Sequence, residues 1–181
     1  MTMVCKLRSW GTRQNYSTLG SDLNFKPLAM SNQFVHGRMQ VNSIDFECDF
    51  IVVYGLHTIQ DRTSMWSGLK NLSDTFQLSW VIIGDFKTIL EVDDRVGSLV
   101  QDTEIRDFSN FFQDMDISEL KSVGRTYTWT NSHVHSKLDK AIVNAEWVQK
   151  FNHLEAEVMD PGCLDHSPIA IMLDEKRSTE R

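Results

Sequence analysis

Apolar runs of strand length alternate with two segments of helical periodicity through most of this chain. Residues 34–41, 46–55 and 80–84 carry apolar and β-branched side chains in short runs bounded by turn residues, which predicts strands. Apolar residues recur at helical spacing after Asp61, a candidate N-cap, and again over residues 103–115. Because strands dominate and the helices lie between them, the pattern predicts an α/β protein in which a two-sheet β-sandwich is flanked by helices.

The two ends of the chain lack this regularity. Residues 1–30 are rich in Ser, Thr, Asn, Gly and Arg, so they are predicted to be irregular apart from a strand remnant near residues 28–30. Residues 31–173 are predicted to form one domain, because no linker or internal repeat divides them. Residues 174–181 are predicted to form a solvated tail.

The composition is that of a folded, acidic protein. Of the 181 residues, 41% are hydrophobic and 24% are charged, which supports a sizeable core and argues against extensive disorder. No run approaches the roughly 20 apolar residues of a membrane helix, and the N-terminus lacks the apolar core of a secretory signal. Three widely spaced cysteines favour reduced thiols in an intracellular protein. The net charge of −7 counts against a general nucleic-acid binder, but a metal-dependent nuclease itself needs clustered carboxylates.

Acidic residues beside the predicted strands are the candidates for chemistry. Asp85 follows a buried strand, where it could orient or deprotonate a water molecule or simply satisfy loop amides. Asp165 and His166 precede another apolar run, where the imidazole could donate to a phosphate oxygen and the carboxylate could face a cation. Alternatively, Asp-His-Ser-Pro simply forms a turn, because these residue types are typical of turns. Asp139 lies inside a strand and must pair, bind a ligand or face solvent, and its flanking lysines offer a surface ion pair. Taken one at a time, these residues are compatible with a catalytic role and with a purely structural role.

Read in order, several short motifs point to one superfamily. They are Tyr54 at a strand exit, Gly-Asp-Phe-Lys at 84–87, Tyr-Thr-Trp-Thr-Asn at 127–131, Ser-Lys-Leu-Asp-Lys at 136–140 and Leu-Asp-His-Ser-Pro at 164–168. Over roughly residues 30–173 the chain resembles the endonuclease/exonuclease/phosphatase superfamily, in particular the endonuclease domain of plant LINE-type (non-LTR) retrotransposons. This resemblance implies a four-layer α/β/β/α sandwich.

The resemblance also implies a role for each matched residue. Asp85 would position or activate the attacking water, and Asp139 would orient the imidazole of His166, which contacts the scissile phosphate. Tyr54 would reach that phosphate from the opposite wall. Asp165 would lie near a divalent cation, Mg²⁺ in this family, which prefers oxygen ligands. The implied reaction is hydrolysis of one DNA strand, which leaves a 3′-hydroxyl.

Four further positions fall on the substrate side of the implied site. Thr128 and Trp129 match residues that lie against the DNA backbone, whereas Lys87 stands where the family has Asn and His57 where it often has Asn. Lys can attract a phosphate, but it cannot accept a hydrogen bond from water as Asn can. The family also begins with a strand that carries a phosphate-binding Asn and a second strand that ends in a metal-binding Glu, whereas the first Glu here is Glu47. We therefore expect an N-terminally truncated domain that lacks its first strands.

These departures predict a degenerate, Mg²⁺-dependent DNA endonuclease with weak or no activity. Two alternatives remain open: a non-catalytic remnant that binds DNA or a protein, and a phosphatase of the same fold. DNA is the implied partner, bound weakly because of the acidic composition. The resemblance leaves open whether a reverse transcriptase domain once followed the endonuclease. The expected location is intracellular, and nuclear for a DNA-directed enzyme.

Overall fold

The computed structural model describes residues 22–76 and 78–173 together with the backbone of residues 2–5. The strands are β1 Thr2–Cys5, β2 Leu23–Met30, β3 Phe34–Val41, β4 Phe46–Tyr54, β5 Trp80–Asp85, β6 Arg95–Val96, β7 Ile117–Glu119, β8 Ser122–Gly124, β9 Trp129–Thr130, β10 His135–Ser136, β11 Asp139–Asn144, β12 Ala156–Val158 and β13 Ile169–Met172. The helices are α1 Ile59–Ser73, α2 Asp102–Met115 and α3 Ala145–Lys150. No helix in this part of the chain is long and apolar enough to cross a membrane.

Two sheets form the body of the protein. The larger has six strands in the order β2-β3-β4-β5-β11-β7, and the second has four in the order β1-β13-β12-β8. A small third sheet joins β6, β10 and β9. In the larger sheet β4 and β5 run parallel, with α1 as their connection, whereas β11 runs antiparallel to β5. The ends of β4 and β5 therefore meet the beginning of β11 at one end of the sheet.

Strand alternation divides the hydrophobic residues of the six-stranded sheet between two cores. Phe46 and Phe50 of β4 join the core that also contains Ile171 of β13, so this core lies between the two sheets. Ile51 and Val53 of the same strand join a second core with residues of α1 and α2. This arrangement follows from the two-residue period of a strand. It confirms the predicted α/β fold class with a two-sheet sandwich.

The helices pack where the sequence pattern suggests, with one shifted boundary. Trp66 of α1 stacks on Phe108 of α2 with ring centroids 5.0 Å apart, and both side chains are buried on the outer face of the six-stranded sheet. Trp147 of α3 is fully buried in the core between the sheets. The predicted N-cap at Asp61 is wrong: Thr58 caps α1, and its hydroxyl accepts a hydrogen bond from the backbone N–H of Asp61.

Two strands lie within the segment 1–30, which the sequence pattern predicted to be irregular apart from a strand remnant near residues 28–30. β1 pairs with β13, and β2 is an edge strand of eight residues that pairs with β3. Only the end of β2, near residues 28–30, was predicted as a strand, because an exposed edge strand does not need regular alternation and Pro27 sits at a bulge in the pairing. The domain boundaries at 31–173 and the proposed truncation stay predictions. Residues 6–21 and the predicted tail 174–181 lie outside the described residues.

Candidate active site

Three of the predicted site residues lie side by side at one end of the six-stranded sheet. Tyr54 ends β4 and is paired in register with Asp85, which ends β5. Asp85 in turn pairs with Asp139, the first residue of β11. Because β11 is antiparallel to β5, its beginning meets the end of β5. Two carboxylates that are distant in the sequence thereby become neighbours.

A glycine lets these strands approach closely enough to form the site. Gly84 has a φ of +142°, and a Cβ at this position would collide with the backbone carbonyl oxygen of Val53 on β4. Any side chain here would strain the backbone and push β5 away from β4. The glycine therefore places the following carboxylate, Asp85, in a position that is only 1% exposed.

His166 reaches the two carboxylates from the loop that precedes β13 in the other sheet. Its Nδ1 lies 2.9 Å from Oδ2 of Asp139. Thr128 supports both partners through the backbone: its Oγ1 accepts hydrogen bonds from the N–H groups of Leu138 and Asp139 at 3.0 and 2.9 Å. The carbonyl oxygen of Thr128 accepts a further bond from the N–H of Ser167 at 2.7 Å. The Asp–His pair is thus held on both sides, and Nε2 of His166 faces the rest of the cluster.

Lys87 fills the space between Asp85, His166 and Tyr54. Its backbone is left-handed, with a φ of +55°, and its N–H donates to Oδ1 of Asp85 at 2.9 Å. Its Nζ lies 2.6 Å from Oδ2 of Asp85, 3.4 Å from Nε2 of His166 and 5.0 Å from the ring centroid of Tyr54. Both oxygens of Asp85 therefore contact the same lysine.

Burial and neighbouring charges oppose each other in setting the pKa values of this cluster. Burial acts to lower the pKa of His166, but its hydrogen bond to Asp139 and the charges of Asp139 and Asp85 outweigh burial and raise that pKa. Burial also acts to lower the pKa of Lys87, and the charge and hydrogen bond of Asp85 raise it. Burial, with the charge of Asp85, raises the pKa of Asp139 against the lowering effect of the His166 hydrogen bond. Lys87 is consequently a cation at neutral pH.

The other predicted site residues surround this cluster. Trp129 is half-buried and forms an isolated antiparallel bridge with His166. Thr128 is 1% exposed, so its hydroxyl acts inside the protein as a support. Asp165 and His57 are exposed at the surface. The cation contact of Asp165 stays a prediction. The substrate contacts predicted for Lys87, Thr128, Trp129 and His57 also stay predictions.

Two buried polar residues that sequence reasoning missed hold the loop after β4. Oε1 of Gln33 accepts a hydrogen bond from the N–H of Leu56 at 2.9 Å, and its Nε2 donates to the carbonyl oxygen of Asp61 at 2.9 Å. Nη1 of Arg62 donates to the carbonyl oxygens of Leu56 and His57 at 3.0 and 2.8 Å. In the sequence, a glutamine before a strand and an arginine in a helix are typical of surface residues. The sequence therefore contains no local indication that Gln33 and Arg62 are buried and hold this loop.

A divalent cation does not fit these carboxylates as they are arranged. Asp85, Asp139 and His166 each offer a ligand atom, and these atoms lie within 4.8 Å of one another, a spacing that suits a metal site. However, Oδ2 of Asp139 is bonded to His166, and both oxygens of Asp85 contact Lys87, whose ammonium group repels a second cation. No glutamate belongs to this group among the residues that the structure describes. Metal binding here requires Lys87 to be displaced.

Comparison with known proteins identifies the fold. No protein-family model and no curated protein matches the sequence. Among solved structures, the endonuclease domain of TRAS1, a telomere-specific non-LTR retrotransposon, matches with a TM-score of 0.65 and 13% identity, covering 97% of this chain and 81% of that one. AP endonuclease LMAP from Leishmania major matches with a TM-score of 0.60 and 12% identity over 80% and 55% of the two chains. An endonuclease/exonuclease/phosphatase family protein from Leptotrichia buccalis matches with a TM-score of 0.52 and 15% identity over 85% and 60%.

The chain therefore has the fold of the endonuclease/exonuclease/phosphatase proteins, as its ordered motifs led us to expect. It spans most of the length of the TRAS1 domain but little more than half of the other two structures. At identities of 12–15% the likeness concerns the fold, so activity and substrate have to be argued from the site itself.

Proposed function

We propose that this chain is a degenerate DNA endonuclease domain of the LINE-type retrotransposon class, which hydrolyses phosphodiester bonds weakly. The observation that carries the proposal is the Asp139–His166 pair, because it holds an imidazole at the mouth of the cluster with its Nε2 3.6 Å from Oδ2 of Asp85. The ordered motifs and the fold shared with the TRAS1 endonuclease domain support the retrotransposon class.

The side chains of the cluster supply groups that this reaction needs. Protonated His166 donates from Nε2 to a phosphoryl oxygen, while Asp139 stabilises the imidazolium through Nδ1. The ammonium group of Lys87, 3.4 Å from that Nε2, adds positive charge on the same side. Together the two cations stabilise the negative charge that develops on the five-coordinate phosphorus.

Asp85 is the group whose arrangement limits the rate. To position an attacking water, a carboxylate must have a lone pair that the water can reach. The carboxylate of Asp85 is 1% exposed and both of its oxygens already contact Lys87, which leaves little access for a water. Poor positioning of a nucleophile removes orders of magnitude of rate, so we expect slow hydrolysis.

DNA binding should also be weak, because the net charge of the chain is −7. Affinity for a duplex comes largely from cationic side chains that neutralise phosphates, and such binding falls steeply with salt. A protein of this kind acts on chromosomal DNA, which makes the nucleus its proposed location.

Plasmid nicking tests the proposal directly. Supercoiled DNA is incubated at low salt with Mg²⁺ and either the full chain or the His166→Ala variant purified in the same way. We expect slow conversion to open circles that rises with the concentration of the wild-type protein and is lost in the variant. Equal nicking by both proteins, or none by either, contradicts the proposal.

A non-catalytic DNA-binding or protein-binding remnant is the second candidate, and the contacts between Asp85 and Lys87 favour it. It predicts duplex binding without nicking, which a gel-shift experiment on the same samples detects.

A phosphatase is the third candidate, because the same fold serves both chemistries. Turnover of a small phosphoester such as p-nitrophenyl phosphate, without activity on DNA, would support the phosphatase.

A further inference from the structure

We infer that Lys87 replaces the divalent cation in this site: its ammonium group is a tethered cation that neutralises Asp85 and excludes Mg²⁺ and Mn²⁺ from the Asp85–Asp139–His166 group. The inference deepens the proposed function and rests on the same site. Its test measures metal binding, however, so it can fail or succeed independently of DNA cleavage.

A divalent cation beside Asp85 would lie close to the ammonium group of Lys87. Nζ of Lys87 lies 2.6 Å from Oδ2 of Asp85. Mg²⁺ bound to that oxygen would sit at about 2.1 Å from it, so the two cations would be less than about 5 Å apart. Nearly all the surrounding space is protein, because Asp85 is 1% exposed, and like charges repel strongly where water is scarce.

The ammonium group is also held in place. The side chain of Lys87 is only 11% exposed, and its Nζ contacts the Asp85 carboxylate, Nε2 of His166 and the ring of Tyr54. The backbone of Lys87 is left-handed, and its N–H donates to Oδ1 of Asp85, the same carboxylate that the ammonium group contacts. Moving the ammonium group into solvent would break all of these contacts at once.

Asp85 already has a cationic partner without a metal. The ammonium group of Lys87 lies 2.6 Å from Oδ2 of Asp85, and both side chains are largely buried. Metal sites of this kind collect carboxylates so that a divalent ion neutralises them. Here the lysine side chain performs that neutralisation.

Mn²⁺ binding, followed by electron paramagnetic resonance on the full chain at low salt, tests the inference. Lys87→Asn offers a small amide that also tolerates the left-handed backbone, and Lys87→Met removes the charge while keeping most of the side-chain length. Lys121→Met is the matched control, because Lys121 is exposed and pairs with Glu155 outside the cluster. A circular dichroism melt checks that each variant is folded.

The wild-type protein and Lys121→Met should lack a saturable Mn²⁺ site. Both Lys87 variants should bind one Mn²⁺ with an affinity at least about tenfold above that of any Mn²⁺ binding by the wild-type protein, because a repulsive charge is gone. Adding Asp85→Asn to either variant should remove the gain. A wild-type site that binds as tightly as the variants and is lost with Asp85→Asn would overturn the inference. The inference is equally overturned if both folded Lys87 variants gain no binding.

Discussion

Two Asp–His pairs with nearly equal distances lie in very different places within the part of the chain that the structure describes. Nε2 of His36 lies 2.8 Å from Oδ1 of Asp49, and Nδ1 of His166 lies 2.9 Å from Oδ2 of Asp139. The first pair joins neighbouring strands in the middle of the six-stranded sheet, and its side chains are 7% and 2% exposed. The second joins a loop to the end of a strand, and its histidine is 18% exposed.

The difference that matters is what surrounds each imidazole. The ring of His36 packs on Phe76 with centroids 5.1 Å apart, and its aspartate also lies 3.4 Å from Nε of Arg38. This is a buried hydrogen bond that links two strands. His166 instead directs its second nitrogen toward Lys87, at 3.4 Å, near the opening of the cluster. The same bond serves structure in one place and can serve chemistry in the other.

Exchanging each histidine for alanine should separate the two roles most sharply. His166→Ala should reduce nicking about 10²- to 10⁴-fold, the range for loss of a group that donates or accepts a proton. His36→Ala should keep the nicking rate per folded molecule, because His36 lies outside the cluster. Rates are measured on plasmid DNA and normalised to the folded fraction. An equal loss in both variants would remove the distinction drawn here.

Stability should respond in the opposite order. His36→Ala removes a hydrogen-bond partner of the buried Asp49 carboxylate, which keeps Arg38 as a neighbour, and this loss should lower the free energy of unfolding by about 3 kcal/mol. His166→Ala should lower it less, because water can enter the more open site and solvate Asp139. Urea denaturation of both variants measures the difference. A larger loss in His166→Ala would show that the Asp139–His166 pair matters more for stability than the His36–Asp49 pair does.

Thr128 tests how the second pair is held. Thr128→Val keeps the shape but leaves the N–H groups of Leu138 and Asp139 without their acceptor, which should cost about 2 kcal/mol of unfolding free energy. It should also slow nicking, because Asp139 then no longer fixes His166. Thr128→Ser keeps the hydroxyl and is the matched control. If both variants behave alike in urea denaturation and nicking, the hydroxyl is not the support.

The sequence was sufficient for the fold class and for the group of Asp85, Asp139 and His166, because each follows or begins an apolar run and the motifs occur in order. It was insufficient for the contacts of Lys87. Those contacts depend on a left-handed φ and on a histidine 79 positions away, neither of which leaves a local pattern. Most of the edge strand β2 was missed for a related reason, since its pairing with β3 stabilises it more than its own sequence pattern does.

The smallest expected effect is on the pH dependence of stability. Against the lowering effect of burial, the hydrogen bond to Asp139 and the charges of Asp139 and Asp85 raise the pKa of His166 above its ordinary value of 6.5. The folded protein therefore holds this proton more tightly than the unfolded chain does. The resulting stabilisation is complete below the ordinary pKa and is lost as the pH rises through the higher folded value.

Denaturation in metal-free buffer from about pH 6 to about pH 9 measures this loss as the difference in unfolding free energy between the wild-type protein and His166→Gln. The difference should fall as the pH rises. In the Asp139→Asn background the fall should be smaller and should end at lower pH, because the hydrogen bond and charge that most raise the folded-state pKa are then removed. A difference that stays flat or rises with pH would mean that Asp139 does not stabilise the imidazolium. The contrast between the two Asp–His pairs would then rest on exposure alone.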